Sequence, residues 1–197
     1  MKEQKEQTPI EYPSLEEMEQ EIARLKYKRS YSGALRSTMY SLAVVAAIAI
    51  LVATLWMPVL QITGASMDPT LVDGQFVVAV KNGDFETGDI TAFYYNNKIL
   101  IKRVIAKSGE WVNIDAEGNV FVNDVLIEEP YIQEKSLGEC NIKLPYQVPD
   151  GRVFVMGDDR AISLDSRTTA VGCISREQVL GQVVFRVWPL REFGAVR

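Results

Sequence analysis

From residue 37 to residue 63 the chain carries no charged side chain, and residues 39–60 are almost wholly apolar. Such a run is long enough to cross a bilayer core of about 30 Å as a helix. It predicts a transmembrane helix over 37–60. Residues 1–36 have the opposite character, polar and charged. Within them Ser14 followed by Glu17 reads as a capping box, and Leu15, Met18, Ile22 and Leu25 recur at helical spacing. This predicts a short amphipathic helix over 14–28. After residue 61 the apolar runs shorten to strand length, at 75–80, 90–95, 99–106, 111–114, 119–122, 153–156 and 183–187. Turn signals separate them: Asn82-Gly83-Asp84, Gly88-Asp89, Ser108-Gly109-Glu110, Glu117-Gly118-Asn119 and Pro149-Asp150-Gly151. Many short strands at close spacing predict a mainly β fold, an antiparallel barrel or sandwich-like sheet, over 61–197.

The 36 residues ahead of the apolar run favour an uncleaved anchor over a cleavable export signal, whose basic start is short. Lys26, Lys28, Arg29 and Arg36 precede the span, and no Lys or Arg follows until Lys81. The positive-inside rule then places residues 1–36 in the cytoplasm and 61–197 outside, in a single-pass protein of the cell membrane.

Composition narrows the chemistry. The sequence contains no histidine, which excludes a Ser-His-Asp triad, a Cys-His dyad and His-ligated metal sites. Cys140 and Cys173 are too few for a zinc site built on cysteines. They leave open either one disulfide or two unpaired thiols. The net charge of −5, with no long basic stripe, argues against nucleic acid as a partner.

Three segments carry candidate chemistry. In the first, Ser66 follows a Gly-Ala pair, and small residues let a substrate backbone approach closely. An ordinary loop leaving the membrane has the same look. In the second, strand alternation over 98–106 puts Leu100, Lys102 and Val104 on one face, and Ile101, Arg103 and Ile105 on the other. An ammonium among apolar neighbours is partly desolvated, which lowers its pKa. A neutral lysine amine can then take the proton of a serine hydroxyl. A strand lysine snorkelling from a sheet edge fits the same spacing. The third segment, 154–167, is dense in polar groups. Ser163 there is a candidate for orienting the lysine amine. Asp158, Asp165, Arg160 and Arg167 are candidates for bracing the loop, among themselves or with Arg103. Solvated surface ion pairs are the alternative.

Taken in order behind the anchor, these segments resemble the bacterial type I signal peptidases. The matching stretches are Gly64-Ala-Ser-Met-Asp-Pro-Thr-Leu71, Gly88-Asp-Ile90, Ile101-Lys-Arg-Val104, Met156-Gly-Asp-Asp-Arg160 and Ser163-Leu-Asp-Ser-Arg167. Residues 119–131 look like that family's non-catalytic hairpin insertion, here about 107–150. The resemblance implies a signal-peptidase-like β catalytic domain and cleavage of signal peptides from exported proteins. It assigns Ser66 as nucleophile, Lys102 as general base and Ser163 as the serine that hydrogen-bonds the lysine. Asp165 and Arg167 match a structural pair. No cofactor and no metal is implied. Gly64, Asp159, Ala161 and Ile162 depart from the family's usual residues and leave details of the loops open.

Ser66 lies six residues past Leu60, close to the outer interface where a signal peptide's cleavage site emerges. An extended substrate is expected beside Gln61, Ile62 and Thr63 and near Leu100 and Ile101, by strand addition. Ile62, Met67, Leu71 and Ile101 are expected to line small apolar pockets. The expected partners are signal peptides of exported pre-proteins, the lipid bilayer and the secretion translocon. A competing function is a catalytically inactive relative that binds exported chains during assembly. A self-cleaving repressor-type peptidase is disfavoured by the membrane span, and a sortase by the absent histidine.

Overall fold

The computed structural model describes residues 14–81 and 84–196. The expected turn residues Asn82 and Gly83 lie outside them. The chain falls into two compact units that meet between Leu51 and Val52.

Helix α1 runs without a break over Leu15–Trp56. The capping box is formed. The Glu17 amide donates to Ser14 Oγ at 3.3 Å, and the Ser14 amide donates to Glu17 Oε2 at 2.9 Å. The sequence reading separated a helix over 14–28 from a span over 37–60, whereas the two are one helix. No proline lies between them, and a single Gly33 costs a helix only about 1 kcal/mol. The apolar part, Gly33–Trp56, is 24 residues long with mean hydropathy 2.2. The helix stops four residues earlier than expected. Pro58 has no amide to continue the ladder and disfavours helical geometry at the residue before it. The last helical bond is the Met57 amide on the Ala53 carbonyl, 2.7 Å.

The second unit is mainly β and entirely antiparallel. Its strands are β1 (Val59–Gln61), β2 (Phe76–Val80), β3 (Ile90–Tyr95), β4 (Lys98–Ala106), β5 (Trp111–Ile114), β6 (Val120–Val122), β7 (Val125–Leu126), β8 (Tyr146–Gln147), β9 (Arg152–Met156), β10 (Ile174–Ser175), β11 (Val179–Trp188) and β12 (Gly194–Ala195). The larger sheet has the order β1-β2-β11-β3-β4-β9-β10, with β12 also on β11. The smaller, β7-β6-β5-β8, is built wholly from residues between β4 and β9. Leu60, expected in the membrane span, instead pairs with Val77 in β1–β2.

Two turns with consecutive left-handed residues set two of the hairpins. Asn96 and Asn97 (φ 44° and 61°) close β3 onto β4, and Asn123 and Asp124 (φ 51° and 64°) close β6 onto β7. Two consecutive left-handed residues match the twist of the flanking strands, and Asn and Asp tolerate them best. The core beneath β1–β3 contains Ile62, Met67, Leu71, Val77, Ala79, Ile90, Ala92 and Val183. Cys140 and Cys173 are both free thiols. Cys173 is buried in the core that joins the two sheets, and this burial pushes its thiol up to about 11.

Candidate active site

Lys102 sits near the middle of β4, opposite Thr91 of β3. Its side chain is buried, with 2% of the residue exposed. Ser66 lies in the turn that follows β1. That turn is anchored by the apolar side chains of Met67 and Leu71, both in the core, and by the Gly64 amide donating to Asp73 Oδ1 at 2.8 Å. Gly64 has φ +87°, a conformation that suits glycine. These two supports bring Ser66 Oγ to 2.6 Å from Lys102 Nζ.

The electrostatics around the amine are mixed. Burial lowers its pKa from 10.5 to about 8 and is the largest effect; Asp165 raises it, Arg167 lowers it and Asp158 raises it. Desolvation thus outweighs two nearby carboxylates.

The loop after β9 closes over this pair. The Asp159 amide donates to the Ser66 carbonyl at 3.2 Å. Gly157 lies so near that a Cβ there would collide with Ser66 O and Ser163 Oγ. The loop is held by three buried arginines. Arg103, beside Lys102 on β4, binds Asp158 in a fork, Nε to Oδ1 at 2.9 Å and Nη2 to Oδ2 at 2.7 Å. Thr70, four residues after Ser66, donates to Asp158 Oδ2 at 2.5 Å. Arg167 binds Asp165 the same way, with both bonds at 2.9 Å. The Gly157 amide donates to Asp165 Oδ2, also at 2.9 Å. Forked pairs of this kind fix direction as well as charge.

Several expectations need correction. Ser163 does not hydrogen-bond the lysine: its buried Oγ has no partner among the described residues. It faces the Gly157 backbone instead. Arg160 joins neither Asp158 nor Asp165. Its guanidinium pairs with Glu129, from the segment that follows β7. Sequence reasoning missed Glu129, since nothing distinguishes it from Glu128 beside it. Ile62, Met67 and Leu71, expected to line substrate pockets, are 4%, 2% and 0% exposed. They fill the core under the turn that carries Ser66, so their contribution is to hold Ser66 in place.

Gln61 and Thr63 are exposed, and Leu100 and Ile101 are half-buried. The strand β4 is paired unequally along its two edges. On the β3 side pairing runs from Lys98 to Arg103, but on the β9 side it starts only at Arg103. Among the described residues, 98–101 therefore have a strand neighbour on one side alone, next to the Ser66–Lys102 pair. Among the described residues no group of three or more His, Cys, Asp and Glu side chains is arranged to hold a metal ion.

Comparison with known proteins places this chain in a family. The family described as "Signal peptidase, peptidase S26" matches residues 35–188. Signal peptidase IB of Staphylococcus aureus (strain COL) is 37% identical over 153 residues, covering 67% of this chain and 78% of that protein. Thylakoidal processing peptidase 1, chloroplastic, of Arabidopsis thaliana is 37% identical over 146 residues, covering 66% of this chain and 41% of that protein. Among solved structures, a signal peptidase I from Enterococcus faecalis V583 is 28% identical, with a TM-score of 0.41, covering 50% of this chain and 96% of that one. With more than half of its length matched, the chain belongs to the signal peptidase family, peptidase S26, and is a serine peptidase of the bacterial type I signal peptidase kind.

Proposed function

We propose that this protein is a membrane-anchored endopeptidase that cleaves signal peptides from exported pre-proteins, with Ser66 as nucleophile and Lys102 as general base. The observation that carries this reading is the 2.6 Å separation of Lys102 Nζ and Ser66 Oγ, with the amine buried and its pKa lowered to about 8. An amine with that pKa is substantially neutral at mildly alkaline pH, and a neutral amine can accept the serine proton.

The reaction then runs in two halves. Ser66 Oγ attacks the scissile carbonyl as its proton passes to Lys102 Nζ. The negative charge that develops on the carbonyl oxygen is met by the Ser66 backbone N–H. The ammonium of Lys102 returns the proton to the departing amine, leaving the signal peptide esterified to Ser66. Lys102, neutral again, takes a proton from water as its oxygen attacks the ester, and returns that proton to Ser66 Oγ as the signal peptide leaves, which restores both side chains. Every proton in this cycle is held by Lys102, and no metal or cofactor has a part.

The unpaired edge of β4 at residues 98–101 supports substrate binding as an added strand. Gln61 and Thr63 border the nucleophile's turn, and Leu100 and Ile101 supply apolar contact. The family resemblance adds a preference for alanine-like residues one and three positions before the cleaved bond. For the membrane, the apolar Gly33–Trp56 segment supports a single anchor. The cationic residues before it support a cytoplasmic N-terminus and a catalytic unit outside. Exposed Trp188, Leu190 and Phe193, with Phe185 packed edge-on to Phe193, support contact of the catalytic unit with lipid. Delivery of substrates by the secretion translocon fits this placement.

The test is to reconstitute the full chain in liposomes with a signal-peptide-bearing pre-protein and sequence the N-terminus of the product. A single cut after the signal peptide, absent with Ser66→Ala, supports the function. An uncut pre-protein that nonetheless binds supports the inactive, chain-binding alternative.

A further inference from the structure

The segment linking β7 to β8 reaches back over the catalytic loop and supplies partners to all three of its arginines. Glu129 Oε2 accepts from Arg160 Nη1 at 3.0 Å, and Glu129 Oε1 accepts from Arg160 Nη2. Both side chains are wholly shielded from water. Two residues on, the Tyr131 ring covers the Arg103 guanidinium, 3.9 Å from its centroid to the guanidinium carbon, and its hydroxyl donates to Glu129 Oε1 at 3.0 Å. Further along, Arg167 Nη1 donates to the Leu137 carbonyl at 2.7 Å. At Gly138 the segment crosses so close to the loop that a Cβ would collide with Arg160 O and stand 2.6 Å from Arg167 Nη1.

A path of contacts leads from Glu129 to the nucleophile. Arg160 is held by Glu129 through its two terminal nitrogens. Its remaining Nε donates to the Gly157 carbonyl at 3.0 Å. Gly157 is the residue on which a Cβ would collide with Ser66 O, and the Asp159 amide donates to that same oxygen. The carboxylate thus sets the guanidinium, the guanidinium sets the Gly157 peptide, and that peptide limits where Ser66 can sit.

The geometry points to Glu129 as a positioning residue for the Ser66–Lys102 pair, acting through Arg160 and Gly157 from within the hairpin insertion. This rests on the catalytic reading of that pair given above. It gives the insertion, expected from sequence to be non-catalytic, a share in active-site geometry. Removing the carboxylate's charge leaves a buried guanidinium without its counter-ion, which a loop resists only by moving. Misplacement by about 1 Å costs up to roughly 10²-fold in rate.

The test uses the full chain in detergent or liposomes with a signal-peptide substrate. Glu129→Gln keeps the size of the side chain and removes the charge. We expect kcat to fall by about tenfold or more with KM within about twofold, and Glu129→Asp, which keeps the charge, to recover part of the loss. A second readout needs no turnover: the titration of Lys102, followed by NMR on protein carrying isotope-labelled lysine. The charged groups that act most on Lys102 are Asp165, Arg167 and Asp158, and its hydrogen-bond partner is Ser66. Glu129 is not among them, so a shift on Glu129→Gln reports movement of the loop rather than loss of a neighbouring charge. Water admitted by a loosened loop raises the Lys102 pKa from about 8 toward 10.5.

If Glu129→Gln lowers the melting temperature but leaves kcat and the Lys102 titration as in wild type, Glu129 is only structural and the inference is overturned. Should Glu129→Gln not fold, Glu129→Asp is read in its place: reduced kcat at unchanged KM supports the inference, and wild-type kcat and titration overturn it. A wild-type protein that does not cleave refutes the proposed function instead, and the Lys102 titration alone then decides the role of Glu129.

Discussion

Gly157 lies so near the carbonyl oxygen of Ser66 that a Cβ on it would collide with that oxygen, leaving no room for a side chain. The contact joins the start of the loop after β9 to the turn that carries Ser66. Gly157→Ala therefore forces the two segments apart. Overpacking of this kind costs about 1–3 kcal/mol. The displaced serine should lose about 10²-fold in kcat. Thermal unfolding together with initial rates on a signal-peptide substrate checks both. Wild-type rates in Gly157→Ala would mean that the loop yields without moving Ser66.

Ser163 gives a prediction in the opposite direction. Its buried hydroxyl has no hydrogen-bond partner among the described residues, and an orphaned polar group of this sort costs about 1–3 kcal/mol. Ser163→Ala removes that cost and leaves only a small void. The variant should melt at the same temperature as wild type or a few degrees higher. A clear drop in melting temperature would place a partner on Ser163 that the resting structure does not contain.

Much of this arrangement is legible in the sequence, and the division is physical. The alternation over 98–106 puts Lys102 and Arg103 on opposite faces, because a strand's period is two regardless of context. Ser66 stands out through its small neighbours. What the sequence hides is which charged groups meet across long separations. Arg160 and Glu129 are 31 residues apart. Their pairing depends on how the insertion folds back, which no local pattern encodes. The same limit explains Ile62, Met67 and Leu71. Their apolar character is plain, but whether an apolar residue near a nucleophile faces substrate or core depends on the strand packed beneath it. Here the residues of β2 and β3 take those side chains inward. The continuous helix shows the converse error. Charged residues at 24–36 look like a boundary by composition, yet charge does not break a helix, and the first true breaker is Pro58.

Ser66→Ala and Lys102→Ala should each abolish cleavage while keeping the wild-type circular dichroism spectrum. Lys102→Ala trades a buried amine for a small apolar group, so the fold has little reason to resist it. The double variant should be no worse than either single one, because the two side chains act as a unit. Losses that multiply in the double variant would separate their roles. Residual turnover well above background in Lys102→Ala would remove lysine from the position of base.

Stability should carry the same signature of the buried amine. In the unfolded chain Lys102 titrates near 10.5, and in the folded protein near 8. Between those values the unfolded state binds more protons, so the contribution of this group to stability rises with pH across the window from about 8 to 10.5. Below about 8 the folded protein must bury an ammonium, and that penalty is present in full. Comparing urea midpoints of wild type and Lys102→Met at pH 7 and pH 10 isolates the effect. Lys102→Met should stabilise more at pH 7 than at pH 10. An equal change at both would place the amine in water.

The most direct test of Lys102 as the base for Ser66 is the pH dependence of kcat/KM on a signal-peptide substrate, with enzyme stability checked at each pH. Only the neutral amine can take the serine proton, so the rate should climb about tenfold per pH unit on the acid side. It should level off above an apparent pKa near 8, the value to which burial lowers the lysine. A rate that stays flat from pH 6 to pH 10, or that levels only near the ordinary lysine value of about 10.4, would contradict the account.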